Sequence, residues 1–508
     1  MPSHMRWNID NDKRKTIGSG GSTNNSVSQN RRRQSTKSKM ESKPEGNKDK
    51  NTFQSYLCQA ISPIYYLGKA CGLIPVRFVA NVTGGYRARL SILDLFYSLC
   101  VLMLLLSAEI WGLWRDLKDG WKHSTRLKFR TAIIATCSDV LGIMSLTVVC
   151  IVGSPFRWKK LQVVLNKLIE VDEKIDLSPT KKNARRFTIV LTACSLFFLW
   201  FNSTLDFYTW DRKTRVQETM SDKGPLNYAS LYFMYTVIIM TEIQYTVSTY
   251  NIGLRFVRLN NALLNLSDNF RVTDHFGKST ETVVDKVRDK TSADLRSQRQ
   301  FELTSYQIFR KLPDNSNYVK RISELRLIHS SLCDTVSVIN DTFGTVILAV
   351  TVTCLLHLII TPYFLIIQAG EKHEWIFLFV QGGWCIFHVA RMLMIVQPSY
   401  YAVAEGKKTA ILVSRLLSSS FETEVRRELE IFSLQLLHRP LEFSACGLFP
   451  VDRTLITSIA GVVTTYLVIL IQFQNADDTK GDVDIIRNVT KIFQNATQLQ
   501  NLTGIKIA

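Results

Sequence analysis

Long apolar runs alternate with strongly basic connections along this chain. A helix needs about 20 predominantly apolar residues to cross the hydrocarbon core of a bilayer. Seven runs have about that length: Leu90–Trp114, Phe129–Gly153, Phe187–Tyr208, Asn227–Ile252, Asp341–Gln368, Trp375–Gln397 and Arg453–Gln474. The pattern predicts an all-α membrane protein with seven transmembrane helices.

Apolar residues at helical spacing continue past the spans at 252–266, 322–340 and 409–437, which predicts a cytosolic layer of anchor helices. The remaining segments are polar or broken by Pro and Gly. The predicted organisation is a disordered basic cytosolic tail (1–52), an interfacial pre-helix (53–89), spans one to four with a cytosolic extension (90–266), a variable cytosolic loop (267–320), spans five and six (321–397), anchor helices (398–452), the last span (453–474) and an extracellular tail (475–508).

The distribution of charge predicts the orientation of the spans. The chain carries 62 Lys and Arg against 43 Asp and Glu, a net charge of +19. Most basic residues lie before the first span and after the second, fourth and sixth, so the positive-inside rule places the N-terminus in the cytosol and the C-terminus outside. The segment 115–128 carries five basic residues and argues against this inverted topology. Anionic lipid headgroups account for such basic connections, and no nucleic-acid partner is predicted.

Residue spacings typical of catalytic or metal sites are not visible in the sequence. The ten cysteines lie in spans or on the predicted cytosolic side, without a CxxC pair, so neither a disulfide framework nor a zinc site is expected. A nucleophile motif and a phosphate-binding loop are also lacking. The sequence therefore predicts a protein that is not an enzyme and needs no cofactor.

The last span differs from a plain lipid anchor because it carries a polar stripe. Thr457, Gly461, Thr465, Val468 and Gln472 fall on one side of a helical wheel. Small and hydroxyl residues let helices approach, and a Gln in a span needs a protein or water partner. Two interpretations remain open on this evidence, a helix packed inside a bundle and a helix that lines a water-filled path.

Several segments resemble a known family. Thr465-Tyr466, five apolar residues and Gln472 (TYLVILIQ) are similar to the terminal-helix signature of insect gustatory receptors. The segments Phe443–Gly461, Phe343–Leu365 and Trp384–Pro398 most resemble the fructose-receptor branch of that family. The resemblance is strong over Phe343–Gln474, moderate over the earlier spans, and absent from the first fifty residues, the loop at about 267–320 and the tail.

The resemblance implies a homotetrameric, ligand-gated cation channel. Members of the family are understood to have seven spans with a cytosolic N-terminus, and four subunits surround a pore lined by the seventh helix. In this chain the implied pore and gate residues are Thr465, Tyr466, Gln472 and Phe473. The implied partners are permeant cations, the lipid bilayer and further copies of the chain, or other gustatory receptor subunits. The residues themselves add that one striped helix per chain cannot enclose a pore.

Polar and aromatic residues in the outer half of the spans are candidates for a ligand pocket, because such residues are costly inside a membrane. The candidates are Asp139, Tyr232, Thr361, Tyr363, Gln368, Gln381, Trp384 and His388. Aromatic faces stack on the C–H face of a sugar, while carboxylates, amides and hydroxyls bind its hydroxyl groups. In fructose-type receptors, residues matching Asp139 and the pair Trp384 and His388 bind the ligand. Pro362 and Gln368 depart from that pattern.

Structural roles compete with ligand contact at several of these positions. Asp206, Trp210, Tyr228 and Tyr235 also lie in the outer half and are further candidates for the pocket, although packing in an interfacial belt is expected for the tyrosines. Bonds between helices are expected for Glu242 and His357, and snorkelling to the inner boundary for Arg391. At the level of function, a gustatory channel for bitter or other ligands and a seven-span receptor that signals through a cytosolic partner remain alternatives.

Overall fold

A computed structural model describes residues 63–80, 86–118, 130–175, 181–216, 229–288, 315–369, 375–419 and 421–472. The predicted disordered tail (1–52), the extracellular tail (475–508) and the gate residue Phe473 lie outside the described residues. The elements in chain order are α1 (63–70), β1 (Val76–Ala80), β2 (Tyr86–Leu90), α2 (Ile92–Lys118), α3 (Arg130–Val152), α4 (Ser154–Lys174), α5 (Lys181–Val216), α6 (Ala229–Arg288), α7 (Asn315–Ala369), α8 (Trp375–Leu417), α9 (Thr423–His438), β3 (Ser444–Ala445), β4 (Phe449–Pro450) and α10 (Arg453–Gln472).

Helix α6 is the centre of the bundle, and it packs against α2, α3, α4, α5, α7 and α8. By length and composition, five of the described helices could each cross a membrane, and α3 with α4 could form a sixth, bent span. The predicted fourth span, Asn227–Ile252, is not among them, although its described residues from Ala229 onward lie in α6. Protein surrounds this segment, so it tolerates buried polar residues such as Thr241, Gln244 and Thr249 that a lipid-facing helix would exclude.

The long helices confirm that helical structure continues past the predicted spans. Helix α7 has 55 residues, which is roughly 80 Å at 1.5 Å per residue and far more than a bilayer core requires. Helix α6 runs on to Arg288, so helix replaces the first part of the irregular loop predicted from residue 267. That part of the sequence contains one Gly and no Pro, and a helix can therefore continue through it.

Three local elements differ from the sequence prediction. Helix α4 was not predicted, because its sequence is less apolar than the spans and is typical of a connection between the second and third spans. The pre-helix segment contains α1 followed by an antiparallel hairpin, in which Val76 pairs with Leu90 and Ala80 with Tyr86. The anchor helix predicted at 409–437 is two helices, since α8 ends at Leu417 and α9 begins at Thr423. Three consecutive serines, which favour turns over helix interiors, occupy the break.

Helix α9 packs against the part of α7 that precedes the membrane and encloses His329. Arg326 on α7 pairs with Glu428 on α9 at 2.8 Å, and the His329 ring lies edge-on to the rings of Phe256 and Phe432. Burial, with a smaller contribution from the positive charge of Arg439, lowers the pKa of His329 from 6.5 to about 4. The imidazole is therefore neutral at physiological pH.

Acid should destabilise this layer through His329. In the unfolded chain, His329 takes up a proton below pH 6.5, whereas in the folded chain it does so only near pH 4. Its contribution to the free energy of unfolding is therefore fully present above pH 6.5 and is lost as the pH falls from 6.5 towards 4. We expect His329→Gln to remove about 2 kcal/mol of the loss in unfolding free energy between pH 7 and pH 5. Denaturant unfolding of the purified protein at both pH values measures the effect. His438→Gln, at an exposed histidine of α9, is the matched control.

Candidate ligand-binding site

A cavity lies among α3, α5, α6, α7 and α8, and its volume is about 800 Å³ including the open mouth. Its walls are both polar and aromatic. The lining residues are Thr136, Asp139, Val140, Asp206, Trp210, Leu231, Tyr232, Tyr235, His357, Ile360, Thr361, Phe364, Phe377, Gln381, Trp384 and His388.

The fold brings six of the eight predicted ligand-binding residues to this one cavity. They are Asp139, Tyr232, Thr361, Gln381, Trp384 and His388. Tyr363 is buried next to Phe364 and is not a lining residue. Gln368 lies near the end of α7, and its side chain is outside the described part of the chain. Five helices contribute to the cavity, so its shape depends on how the whole bundle packs.

Asp139 and His357 face each other across the cavity wall. Oδ1 of Asp139 lies 2.9 Å from Nδ1 of His357, but neither imidazole nitrogen is aligned for a hydrogen bond with a described residue. The His357 ring also lies edge-on to His388, with 4.3 Å between the centroids. The expected contact between helices is present, and the sequence interpretation missed that His357 also lines the cavity. An imidazole with open hydrogen-bonding positions can donate to or accept from a polar ligand.

An aromatic wall occupies the α6–α8 side of the cavity. The Trp384 ring is stacked on Tyr232 at 6.3 Å and tilted against Tyr235 at 5.2 Å. Both tyrosines are buried, so the expectation of interfacial belt packing is wrong for these two residues. An amphipathic ring suits a membrane interface equally well, and the sequence could not distinguish the two environments.

Asp206 holds two aromatic side chains of this wall in place. Its Oδ2 accepts a hydrogen bond of 2.7 Å from the Tyr232 hydroxyl, and its Oδ1 accepts one of 3.1 Å from Nε1 of Trp210. The carboxylate thus connects α5 to α6 and orients Tyr232 towards the cavity. The spacing of Asp206 and Trp210, four residues apart on one helix, was the available sequence signal for their contact.

A buried ion pair lies next to the cavity, beside His388. Arg391 on α8 binds Glu242 on α6 through Nη2 and Nε, at 2.6 and 3.0 Å from Oε1, and neither side chain is more than 2% exposed. Nη1 of Arg391 is also 3.5 Å from Nδ1 of His388. The expected bond between helices is confirmed for Glu242, whereas the expectation that Arg391 snorkels is wrong. The Glu242 carboxylate binds the guanidinium inside the bundle, so the Arg391 side chain does not extend to the membrane boundary.

The final helix, α10, lies at the surface of the single chain. Only 6% of its apolar stretch is buried in the single chain, and the side chains of Ile459 and Val463 pack against the rest of the protein. The striped side points away, because Thr457, Gly461, Thr465, Val468 and Gln472 are all exposed. At its start, the guanidinium of Arg453 lies 3.9 Å from the centre of the Tyr400 ring on α8. The interpretation that this helix is packed inside the helical bundle of a single chain is therefore wrong.

Comparison with known proteins adds evidence on the family. The family model described as 7tm chemosensory receptor matches residues 61–477. The gustatory receptor for sugar taste 43a of Drosophila melanogaster is 29% identical over 422 residues, which cover 82% of this chain and 98% of that receptor. The putative gustatory receptor 28b of the same fly is 29% identical over 254 residues, covering 49% of this chain and 50% of the relative.

Solved structures support the same helical fold. The insect olfactory receptor OR5 from Machilis hrabei superposes with a TM-score of 0.54 at 14% identity, over 83% of this chain and 99% of that receptor. The same receptor in complex with eugenol superposes with a TM-score of 0.53 at 15% identity, over 81% and 97% of the two chains. At such low identity, the likeness shows a shared arrangement of helices.

Proposed function

Since the chain belongs to the 7tm chemosensory receptor family, and within it to the insect gustatory receptors, we propose that it is a sugar-gated, nonselective cation channel. It is a multi-pass protein of the plasma membrane. Fructose is the leading candidate ligand. The cavity among α3, α5, α6, α7 and α8 binds the sugar, and copies of α10 line the pore.

The observation that carries the ligand class is the pairing of an aromatic wall with open polar groups in one cavity. Trp384 offers a flat face for the C–H side of a sugar ring, and Asp139, His357 and Gln381 offer hydrogen-bonding groups for its hydroxyls. Such groups discriminate strongly against ligands that leave them unpaired. The name of the Drosophila relative, which refers to sugar taste, points to the same class.

Expression of this chain alone tests the proposal. Cells are imaged with a calcium indicator during application of fructose, glucose, sucrose and several alkaloids. We expect fructose to evoke the largest signal, and excised patches to retain the current without nucleotides or G protein. A response to alkaloids alone would replace the sugar with a bitter ligand, and a current that disappears on excision would favour signalling through a cytosolic partner.

The surface of α10 supports assembly into a channel with a central pore. Its apolar side packs on its own subunit, and its hydroxyl and amide stripe has no cover from the described part of the chain. Lipid would solvate such a stripe poorly, whereas water in a shared conduit would solvate it well. We assign four subunits with cytosolic N-termini, and Thr465, Tyr466, Gln472 and Phe473 to the pore and gate.

Thr465→Cys should make the channel sensitive to water-soluble, positively charged thiol reagents. Thr465 is exposed on the striped side, so a thiol there faces the water of the pore in this proposal. We expect modification to reduce the sugar-evoked current by about tenfold, because a fixed positive charge opposes cation passage. The matched variant is Val463→Cys, on the side that packs against the core. Equal modification of the two cysteines, or none at Thr465→Cys, would contradict a pore-lining role.

Helix α8 connects the cavity to the proposed pore helix. It carries Gln381, Trp384 and His388 along the cavity, and farther on it carries Tyr400, which contacts Arg453 at the start of α10. A sugar opens the channel to the extent that it binds more tightly to the arrangement of α8 found in the open state. In this proposal, α8 is the route by which ligand binding reaches the last helix.

A further inference from the structure

A second cavity lies between α4 and α6, apart from the one assigned to the sugar. The space between the two helices is about 500 Å³ when its opening to solvent is included, and none of its lining residues belongs to the first cavity. We call it the α4–α6 cavity. Helix α4 contributes Trp158, Leu161 and Leu168, and α1 contributes Ile64. These walls are almost wholly apolar, and apolar cavities of this kind stay dry and take apolar ligands.

One polar group in this cavity has open hydrogen-bonding capacity. The Nε2 atom of Gln244 is buried and has no hydrogen-bond partner among the described residues, and the Gln244 side chain lines the cavity. The neighbouring polar side chains are satisfied on α6 itself. The Ser248 hydroxyl donates to the Gln244 carbonyl oxygen, and the Asn251 amide donates to the Val247 carbonyl oxygen. A buried amide donor without a partner is costly, so a ligand that supplies an acceptor would be bound favourably.

The position of the cavity along the fold indicates where its ligand comes from. Residues Gln244 to Asn251 form the last two turns of the predicted fourth span, and α4 bends away from α3 by 55° just after the second span. On the span ends predicted from the sequence, the cavity is level with one membrane–water boundary, the depth at which phospholipids carry their ester carbonyl groups. Lys159 and Lys160 on α4 are exposed beside the cavity, as is typical of basic residues at that boundary.

We propose that the α4–α6 cavity binds an acyl chain of a membrane phospholipid, whose ester carbonyl oxygen accepts a hydrogen bond from Nε2 of Gln244. The acyl chain fills the apolar space between Leu161, Leu168 and Val247. The occupant braces α4 against α6, the central helix of the bundle. This site is separate from the sugar cavity and does not depend on which ligand that cavity binds.

Photolabelling of the purified full-length chain tests the site. The probe is a phosphatidylcholine with a diazirine in one acyl chain, and a photoreactive palmitic acid is the comparison. We expect the phospholipid to label peptides that contain residues 158–168 or 244–251. Labelling spread evenly over all the apolar helices would overturn the site. Labelling of these peptides by palmitic acid alone would overturn the assignment to a phospholipid.

Two variants test the geometry separately. Leu165→Trp, at a half-buried lining residue, should reduce labelling by at least about tenfold because the indole occupies the cavity. Thr361→Trp, which fills the sugar cavity instead, should leave it unchanged. Unchanged labelling of correctly folded Leu165→Trp would overturn the proposal.

Gln244→Leu keeps the side-chain volume and removes the donor. The wild-type chain should prefer an ester-linked probe over its ether-linked analogue by about three- to tenfold, the value of one hydrogen bond. The variant should lose that preference while it still binds the ether-linked probe. An equal preference in both chains would exclude Gln244 as the donor. This measurement decides the proposal if Leu165→Trp does not fold.

Discussion

Asp139→Ala should abolish the sugar-evoked current while the protein still reaches the cell surface. Asp139 lines the cavity, its side chain is 28% exposed, and Oδ1 lies 2.9 Å from His357. In the proposed site, its removal takes away an acceptor for sugar hydroxyls and the carboxylate next to the His357 imidazole. We expect the sugar concentration for half-maximal current to rise by about 100-fold or more, which places the response beyond usual test concentrations.

The controls for Asp139 separate ligand contact from a general effect of lost charge. Glu170→Ala removes an exposed carboxylate that pairs with Lys174 on α4, and it should leave the dose–response curve unchanged. Asp139→Asn keeps the shape and one acceptor, so we expect a smaller shift than in Asp139→Ala. Surface labelling of intact cells measures delivery to the membrane. A normal sugar response in Asp139→Ala would remove this residue from the binding site.

Arg391→Met should destabilise the protein by about 3–5 kcal/mol, the cost of breaking a buried ion pair on one side. The substitution leaves the Glu242 carboxylate buried without its guanidinium, at a place where neither group reaches solvent. We expect a large loss of monodisperse protein on size-exclusion chromatography and a lower melting temperature. Arg415→Met, at an exposed arginine of the same helix, should have little effect.

The double variant Glu242→Gln with Arg391→Met tests whether the charge is the cause. It removes both charges, so most of the lost stability should return, and the two single changes should be strongly non-additive. Simple addition of the two effects would mean that the residues act through packing and not as a pair. Recovery of folding with altered sugar sensitivity would mean that the pair also acts on the neighbouring His388. Nη1 of Arg391 lies 3.5 Å from Nδ1 of that residue.

Part of the candidate site could be predicted from the sequence because polar residues in apolar spans are rare. Asp139, Gln381 and the pair Trp384 and His388 were found in this way, and all four line one cavity. His357 was assigned only to a bond between helices, and Asp206 was a further pocket candidate whose hydrogen bonds to Tyr232 and Trp210 were not foreseen. Helical periodicity gives the side of a helix on which a residue lies, but it does not say which neighbouring helix that side meets.

Arg391 shows this limit most clearly. Its position near the end of an apolar run is typical of a side chain that snorkels, and nothing in its local sequence indicates Glu242, 149 residues away. The pairing depends on α6 and α8 lying side by side at the right rotation. In α10, likewise, the stripe of Thr457, Gly461 and Thr465 was visible in the sequence, and only the packed chain showed that the stripe faces outward.

The sequence by itself determined the family, the helical class and the approximate ends of most apolar helices, because each of these depends on the local order of residue types. The tertiary structure decided that α6 is the protein-enclosed centre, that Arg391 is paired inside the bundle, and that six candidate side chains share one cavity. These properties depend on contacts between residues far apart in the chain. A long-range contact forms only when several helices pack together, and a linear pattern does not record that packing.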